Sequence, residues 1–161
     1  MTHIRKNAIE GLNVGDIFSV SREFTENDMN LFADITRDYN PVHFDERFIK
    51  AKGFDSRICH GLLVASMLTE IGGQMGCLAT DMSFSFKKPV YFGDRIVCNL
   101  VILEKDENGW FNAKAEYKNQ NGTIVIEALL KGIAPDLKEK EVMKAMIAEG
   151  DPTNKVLSKK L

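Results

Sequence analysis

The chain has few of the residues that build metal sites and disulfide frameworks. Its 161 residues include three cysteines and three histidines. Cys59, Cys77 and Cys98 are widely spaced and form no CxxC pair, and the histidines form no HxxxH or HExxH pattern. These absences argue against a zinc knuckle, a disulfide-stapled fold and a metal centre. We therefore expect no bound metal.

Long runs of one kind of side chain are also missing. The formal net charge is −2, and no basic run exceeds two or three residues, so a nucleic-acid or membrane-surface partner is not expected. No apolar run approaches the roughly 20 residues of a membrane span. The first sixteen residues contain no apolar core of signal-peptide length. These observations predict a cytoplasmic protein, and a chain of this length fits a single domain over residues 1–161.

The first part of the chain predicts a strand, a helix and a tight loop. Residues 16–21 have the pattern of a short strand. Thr25 and Asp28 form a variant of the capping box, which predicts a helix from there to about Thr36. Pro41 prevents that helix from continuing and pushes the residue before it towards an extended conformation. The segment 38–43 is therefore predicted to be a loop just past a helix end.

The middle of the chain predicts a covering segment and a buried helix. Residues 44–60 mix phenylalanines with charged side chains, which indicates an irregular or short-helical flap over an apolar surface. From Gly61 to about Met75 the side chains are apolar almost all round, which predicts a long helix buried on every side. Ser66, Thr69 and Gly73 form its one mildly polar stripe.

The rest of the chain predicts a sheet and a terminal helix. Four segments alternate apolar and polar side chains, beginning near residues 82, 96, 111 and 124, and the last ends near Ala134. Asn108-Gly109 and Asn121-Gly122 predict two hairpin turns in an antiparallel meander. Residues 136–148 are predicted to form a helix, followed by a loose polar tail. Wrapped around the buried helix, the sheet gives an α+β fold.

Three groups in this arrangement have the chemistry of an active site. Asp38 and His43 are five residues apart on one tight loop, and Gly61 begins the buried helix eighteen residues after His43. A carboxylate and an imidazole can act as a general acid and base, and a glycine amide can stabilise a developing oxyanion. These are the parts needed for proton chemistry beside a carbonyl. Asn40 can bond to neighbouring backbone and hold Asp38 in place.

Three segments resemble the MaoC-like family of R-specific enoyl-CoA hydratases (hydratase 2). Residues 38–45, DYNPVHFD, match the motif D-x-N-P-x-H-x-D. Residues 58–63, ICHGLL, with a serine three positions later, are similar to the family's HG-helix start. Residues 86–94, FKKPVYFGD, match its F-x-x-P-V-x-x-G-D turn. In order and spacing the resemblance covers about residues 14–134, outside which the C-terminal helix lies.

The resemblance implies a hotdog fold and an R-specific hydratase. In that family Asp38 and His43 would hold one water between them, one taking its proton and the other delivering a proton to C2 of the enoyl thioester. Which residue does which is open. The Gly61 amide would donate to the thioester oxygen, with Ser66 or Thr69 orienting Asp38 or the water from behind. The substrate would be an acyl-CoA, or an acyl carrier protein thioester, and no cofactor is implied.

Two other classes of function fit the same fold. A hotdog thioesterase would use Asp38 or Glu70 to activate water against the thioester carbon. A non-catalytic acyl-binding domain would use neither, although burying two titratable groups without use costs stability. Fold alone does not decide among these. His60 is expected to cap the helix or bond to backbone, and Lys87 and Lys88 either to meet coenzyme A phosphates or to be solvated.

The predicted sheet has an exposed edge. Unpaired edge strands offer hydrogen-bonding groups to another chain, and symmetric pairing of two copies satisfies them. The sequence therefore predicts a homodimer joined sheet edge to sheet edge, with the pocket partly roofed by the neighbour.

Overall fold

The computed structural model describes residues 2–158. Over that range the chain forms six α-helices, with bounds α1 His3–Glu10, α2 Glu26–Thr36, α3 Glu46–Ala51, α4 Gly61–Ala65, α5 Met67–Met75 and α6 Leu137–Ala148. Its five strands are β1 Ile17–Glu23, β2 Leu78–Phe86, β3 Arg95–Lys105, β4 Trp110–Lys118 and β5 Ile124–Ile133. The predicted α+β class is confirmed. No helix within the described residues is long and apolar enough to cross a bilayer.

The five strands form one antiparallel sheet in the order β1-β3-β4-β5-β2. The two predicted hairpin turns join β3, β4 and β5, and their glycines, Gly109 and Gly122, have φ of 87° and 77°. The predicted meander is wrong for β2, which pairs with β5 and lies at an edge. Residues 87–94 carry the chain away from β2, because Val90 is buried there and its carbonyl accepts a hydrogen bond from the amide of Cys59.

The buried face of the sheet packs against α4 and α5 in a single apolar cluster. The predicted helix over 61–75 is confirmed as a buried element but is broken at Ser66. Two hydroxyls bond to carbonyls at the break: Ser66 Oγ donates to Leu63 O at 2.6 Å, and Tyr117 Oη donates to Ala65 O at 2.7 Å. Side-chain donors of this kind compete with the helical hydrogen bonds. The prediction that this helix is buried on every side is wrong, since Leu62 is 59% exposed.

Replacing Tyr117 by phenylalanine is expected to lower the free energy of unfolding by about 1–3 kcal/mol, because it leaves the Ala65 carbonyl without its buried donor. Tyr117 is fully buried on β4. Urea unfolding at matched protein concentration measures the change. Tyr39→Phe is the control, since the Tyr39 hydroxyl bonds to Asp34 at the surface. Equal midpoints for the two variants would show that the bond to the helix break contributes nothing.

Helix α1 packs against both α5 and α6. Helix α1, which the sequence did not predict, is capped by Thr2, whose hydroxyl accepts from the amide of Arg5. Helix α6 confirms the predicted terminal helix and opens with a capping box of Asp136 and Glu139. The prediction of a loose tail after Gly150 is wrong at its start, because Asp151 is buried and forms an ion pair with Arg5 at 2.7 Å.

Candidate active site

The loop after α2 is shaped by its own side chains. Arg37 ends the helix in the left-handed conformation, with φ of 59°. Asp38 Oδ1 then accepts from the amide of Asn40 at 3.2 Å, and Asn40 Oδ1 accepts from the amide of Val42 at 3.2 Å. The second bond caps a single 3-10 turn over Pro41–His43. Asn40 therefore links the two halves of the loop that carry Asp38 and His43.

His43 is buried and held in one tautomer. Its Nδ1 lies 2.9 Å from the carbonyl oxygen of Ile58. A carbonyl oxygen can only accept, so Nδ1 carries the proton and Nε2 of the neutral ring has a free lone pair. Burial is the largest influence on the pKa of His43 and lowers it below the ordinary value, with a further lowering by His60; the Ile58 carbonyl and Asp38 act in the opposite direction.

His60 contacts both Asp38 and His43. It is 1% exposed, and its Nε2 donates to the backbone carbonyl of Asp38 at 2.9 Å. The bond to backbone was one of the two roles expected for this residue; the side chain makes no capping bond to α4. Its ring lies against the ring of His43, with centroids 3.9 Å apart and planes inclined by 31°. Phe32 and Phe44 pack around it.

The fold brings together three groups that are separate in sequence. A carboxylate oxygen of Asp38 and one ring nitrogen from each of His43 and His60 lie within 4.8 Å of one another. Sequence spacing gave no sign of this cluster, because His60 is seventeen residues beyond His43 and reaches it only through the tertiary fold. One carboxylate and two imidazoles can act in proton transfer, and they are also a donor set that transition metals bind.

Gly61 is the first residue of α4 and lines a cavity that Asp38 and His43 also line. Its N–H is one of the helix-start amides that have no partner within a helix. A Cβ atom at this position would lie 2.8 Å from Cε1 of Phe86, so a larger residue would have to displace the Phe86 ring. Because α4 is only five residues long, the amide itself, more than a helix dipole, is the useful donor.

These groups line one cavity of about 550 Å³. Asp38, His43, His60 and Gly61 form its polar part, and Lys87 and Lys88 line it after the end of β2. The remaining wall is mainly apolar and includes Phe32, Phe54, Ile58, Cys59, Leu62, Val64, Phe86, Pro89, Val90 and Ile126. The flap predicted over residues 44–60 contributes Phe54 to this wall. The cavity can therefore hold an apolar chain with a polar reacting group at the Asp38–His43 end.

Other predicted site residues are engaged elsewhere. Ser66 Oγ bonds to Leu63 O, and Thr69 Oγ1 donates to Ser66 O at 2.6 Å, so both hydroxyls are used within their own helical turns. Glu70 bonds to Arg22, with Oε2 2.5 Å from Nη2. Burial raises the pKa of the Cys59 thiol to about 11, which keeps it in the thiol form and makes it a small buried residue of the wall.

Comparison with known proteins identifies the family. Residues 16–126 match the family described as the MaoC like domain. The chain belongs to this MaoC-like family. The match confirms the resemblance found in the three sequence segments. The matched range spans α2, the loop over residues 38–43, helices α4 and α5, and most of the sheet.

Several relatives of this MaoC-like chain have names that state their activity. It is 34% identical over 133 residues to the mitochondrial 3-hydroxyacyl-[acyl-carrier-protein] dehydratase of Arabidopsis thaliana, covering 78% of this chain and 80% of that protein. It is 32% identical over 103 residues to the (R)-specific enoyl-CoA hydratase of Aeromonas caviae, covering 62% and 77%. Hydratases and dehydratases of this kind are hydro-lyases, which confirms the predicted enzyme class.

Solved structures confirm the hotdog fold of the MaoC-like chain. The (R)-hydratase of A. caviae involved in PHA biosynthesis superimposes with a TM-score of 0.73 at 27% identity, covering 78% of this chain and 99% of that one. The unliganded R-hydratase PhaJ1 of Pseudomonas aeruginosa gives the same TM-score and identity, covering 80% and 85%. The shared part is therefore a nearly complete hydratase chain, to which this protein adds further residues.

Proposed function

We propose that this protein is an (R)-specific enoyl-CoA hydratase, which reversibly adds water to a trans-2-enoyl-CoA to give the (R)-3-hydroxyacyl-CoA. One observation carries the proposal: Asp38 and His43 present acid–base atoms within 4.8 Å of each other on the wall of a cavity that Gly61 also lines. The relatives named as hydratases and dehydratases support the same chemistry.

The reaction needs one water and two proton transfers. A water held between the Asp38 carboxylate and His43 Nε2 attacks C3 of the double bond as it loses a proton, and C2 gains a proton. The tautomer imposed by the Ile58 carbonyl leaves Nε2 able to accept the water's proton. C2 receives the proton that His43 took from the water, either directly from the His43 imidazolium or through the Asp38 carboxylate. The OH ends on C3 and the H on C2, both from the same side, and the two residues return to their starting states.

The thioester oxygen gains negative charge during this addition. The Gly61 N–H donates to that oxygen and stabilises the charge. The acyl chain lies along the apolar wall, and Asn40 keeps Asp38 directed at the water. No step of the proposed reaction passes through a metal or a bound cofactor.

Hydration of crotonyl-CoA tests the proposal. Loss of the conjugated enone absorbance without release of free thiol, with the (R) isomer as product, is the expected result. Thiol release without enone loss would indicate a thioesterase. For that reaction Asp38 would be the base, since Glu70 bonds to Arg22 instead of lining the cavity. If the absorbance persists and no thiol forms, whether the crotonyl group is carried by CoA or by acyl carrier protein, the protein is a non-catalytic acyl-binding domain.

Dehydration of an acyl carrier protein thioester is the second candidate, because the A. thaliana relative at 34% identity is named for that reaction. The chemistry is the reverse of the same addition, so the catalytic residues are the same. Comparing kcat/KM for a C4 enoyl group on CoA and on acyl carrier protein separates the two. The cytoplasmic location is also open to test by fractionation, because this relative is mitochondrial.

The pH dependence of kcat/KM is expected to show an acid limb below pH 6.5, the ordinary pKa of histidine. Burial lowers the pKa of His43, so the neutral ring that accepts the water's proton persists to lower pH, and activity is lost only as pH falls through that lowered value. Initial rates of crotonyl-CoA hydration in constant-ionic-strength buffers measure it. A half-loss of kcat/KM above pH 6.5 would contradict the assignment of His43 as the group that must be neutral.

We also propose a homodimer formed through the β2 edge. The inward-facing side of this strand is incompletely covered, since Met82 is 39% and Phe86 52% exposed. A second copy pairing with β2 would cover both side chains and extend the sheet. Light scattering at micromolar protein is expected to give the mass of two chains. Met82→Lys is expected to shift the protein towards monomer, whereas Leu103→Lys, three strands away, is not; a monomeric wild type would overturn the proposal.

A further inference from the structure

His60 is buried and polar, and the proposed mechanism gives it no step. Its Nε2 donates to the Asp38 carbonyl, while its Nδ1 is buried with no hydrogen-bond partner among the described residues. Since the carbonyl can only accept, the proton lies on Nε2 and the lone pair of the neutral ring is on Nδ1. Buried polar atoms without partners are uncommon in folded proteins and call for an explanation.

The segment that carries His60 holds both halves of the catalytic pair. The carbonyl of Ile58 fixes the ring of His43, and the side chain of His60 fixes the main chain at Asp38. Between them, the amide of Cys59 donates to the Val90 carbonyl at 2.8 Å, and Ile58 pairs with Tyr91. The next residue is Gly61, which lines the cavity. Four consecutive residues, 58–61, therefore set the relative placement of the base, the carboxylate and the oxyanion donor.

We propose that His60 is a positioning residue for the hydration reaction: its N–H holds the Asp38 main chain while its ring packs against His43 and fixes the plane of that imidazole. This inference rests on the proposed function. An alkyl side chain would fill the space but would bond to neither neighbour. The unpartnered Nδ1 costs free energy. That cost is offset because the same ring donates to the Asp38 carbonyl from Nε2 and packs against the ring of His43.

Two substitutions separate the two contributions of His60. His60→Phe keeps an aromatic ring against His43 and removes the donor to Asp38. His60→Gln keeps an N–H donor and removes the ring. Both are expected to lower kcat by about 10- to 100-fold with little change in KM, since small misplacements of catalytic groups have effects of that size.

The pH profile provides a readout that a purely structural role would not change. The groups facing His43 are Asp38, the Ile58 carbonyl and His60, with Lys87 and Lys88 on the same cavity wall. Only His60 is altered in the variants, and its presence lowers the pKa of His43. The acid limb of kcat/KM is therefore expected to move to higher pH in both. Gln74→Leu is the matched control, because Gln74 is a buried side chain with an unpartnered oxygen on α5.

The proposal is overturned if either His60 variant keeps the wild-type kcat and acid limb, or if Gln74→Leu at equal loss of stability reduces kcat as much. Long-range 1H–15N spectra of the histidines in the wild type test it without any variant. They are expected to show the Nδ1–H tautomer for His43 and the Nε2–H tautomer for His60. The opposite tautomer at His60 would overturn the anchoring role even if the variants fail to fold. An inactive wild type with the expected tautomers would contradict the proposed function alone.

Discussion

Replacing Asp38 by asparagine is expected to lower kcat for enoyl-CoA hydration by roughly 10²- to 10⁴-fold, the usual contribution of a positioned general acid or base. Asparagine has nearly the same shape and can still accept from the Asn40 amide, but it neither takes nor gives a proton at neutral pH. His43→Gln is expected to have an effect of the same order. Initial rates of enone loss with saturating crotonyl-CoA measure both.

The double variant makes this prediction sharper. Because the two residues act on one water, Asp38→Asn combined with His43→Gln is expected to lose little more than either single variant, as is found for groups that act as a unit. Asp34→Asn is the matched control: this carboxylate lies four residues earlier on α2 and bonds to Tyr39 at the surface. A near-normal kcat for Asp38→Asn would remove that residue from the mechanism and the proposed hydratase with it.

The loop over residues 38–43 could be predicted because its causes are local. The proline at position 41 ends the extended segment and starts the 3-10 turn, and Asn40 caps that turn through its own side chain. Both effects act within a few residues, so the sequence alone shows them. The capping box at Thr25 was predictable for the same reason and is present with both of its hydrogen bonds.

The features that were missed depend on partners distant in sequence. The break at Ser66 involves Tyr117, fifty-two residues from Ala65. His60 meets Asp38 and His43 through the tertiary fold, in which the residues just before it, Ile58 and Cys59, bond to the loop after β2. The pairing of β2 with β5 was missed for a related reason. Alternation of apolar and polar side chains shows that a strand exists, but it does not show which strand it pairs with. Periodicity placed Ser66 and Thr69 on one helix stripe, but it could not show that their hydroxyls bond within the helix.

Helix α1 was missed because its buried residues are few and one of them is charged. Arg5 is buried, and its guanidinium makes three hydrogen bonds: to Asp151, to the carbonyl of Gly73 at 3.0 Å and to the carbonyl of Gln74 at 3.1 Å. The two carbonyls belong to the last turn of α5, where helical partners run out. The Arg5 side chain thus joins α1 and Asp151 to the end of α5.

Asp151→Asn is expected to lower the free energy of unfolding by about 3 kcal/mol, because it leaves the Arg5 guanidinium buried beside a neutral amide. Asparagine keeps the shape of aspartate and tolerates the left-handed backbone, with φ of 52°, at this position. Urea unfolding at fixed protein concentration measures the loss. At temperatures well below unfolding kcat is expected to be unchanged, since Arg5 and Asp151 lie outside the residues that line the cavity.

A double variant tests whether the loss of stability comes from leaving one charge of the buried ion pair without its partner. Arg5→Met with Asp151→Asn removes both charges, so the loss of stability is expected to be smaller than for Asp151→Asn alone. Glu10→Gln breaks the exposed Lys6–Glu10 pair on the same helix and is expected to have almost no effect. If Asp151→Asn unfolds at the wild-type urea concentration, the ion pair between Arg5 and Asp151 does not contribute to stability. Helix α6 would then contribute through Met143, which lies against Gly76.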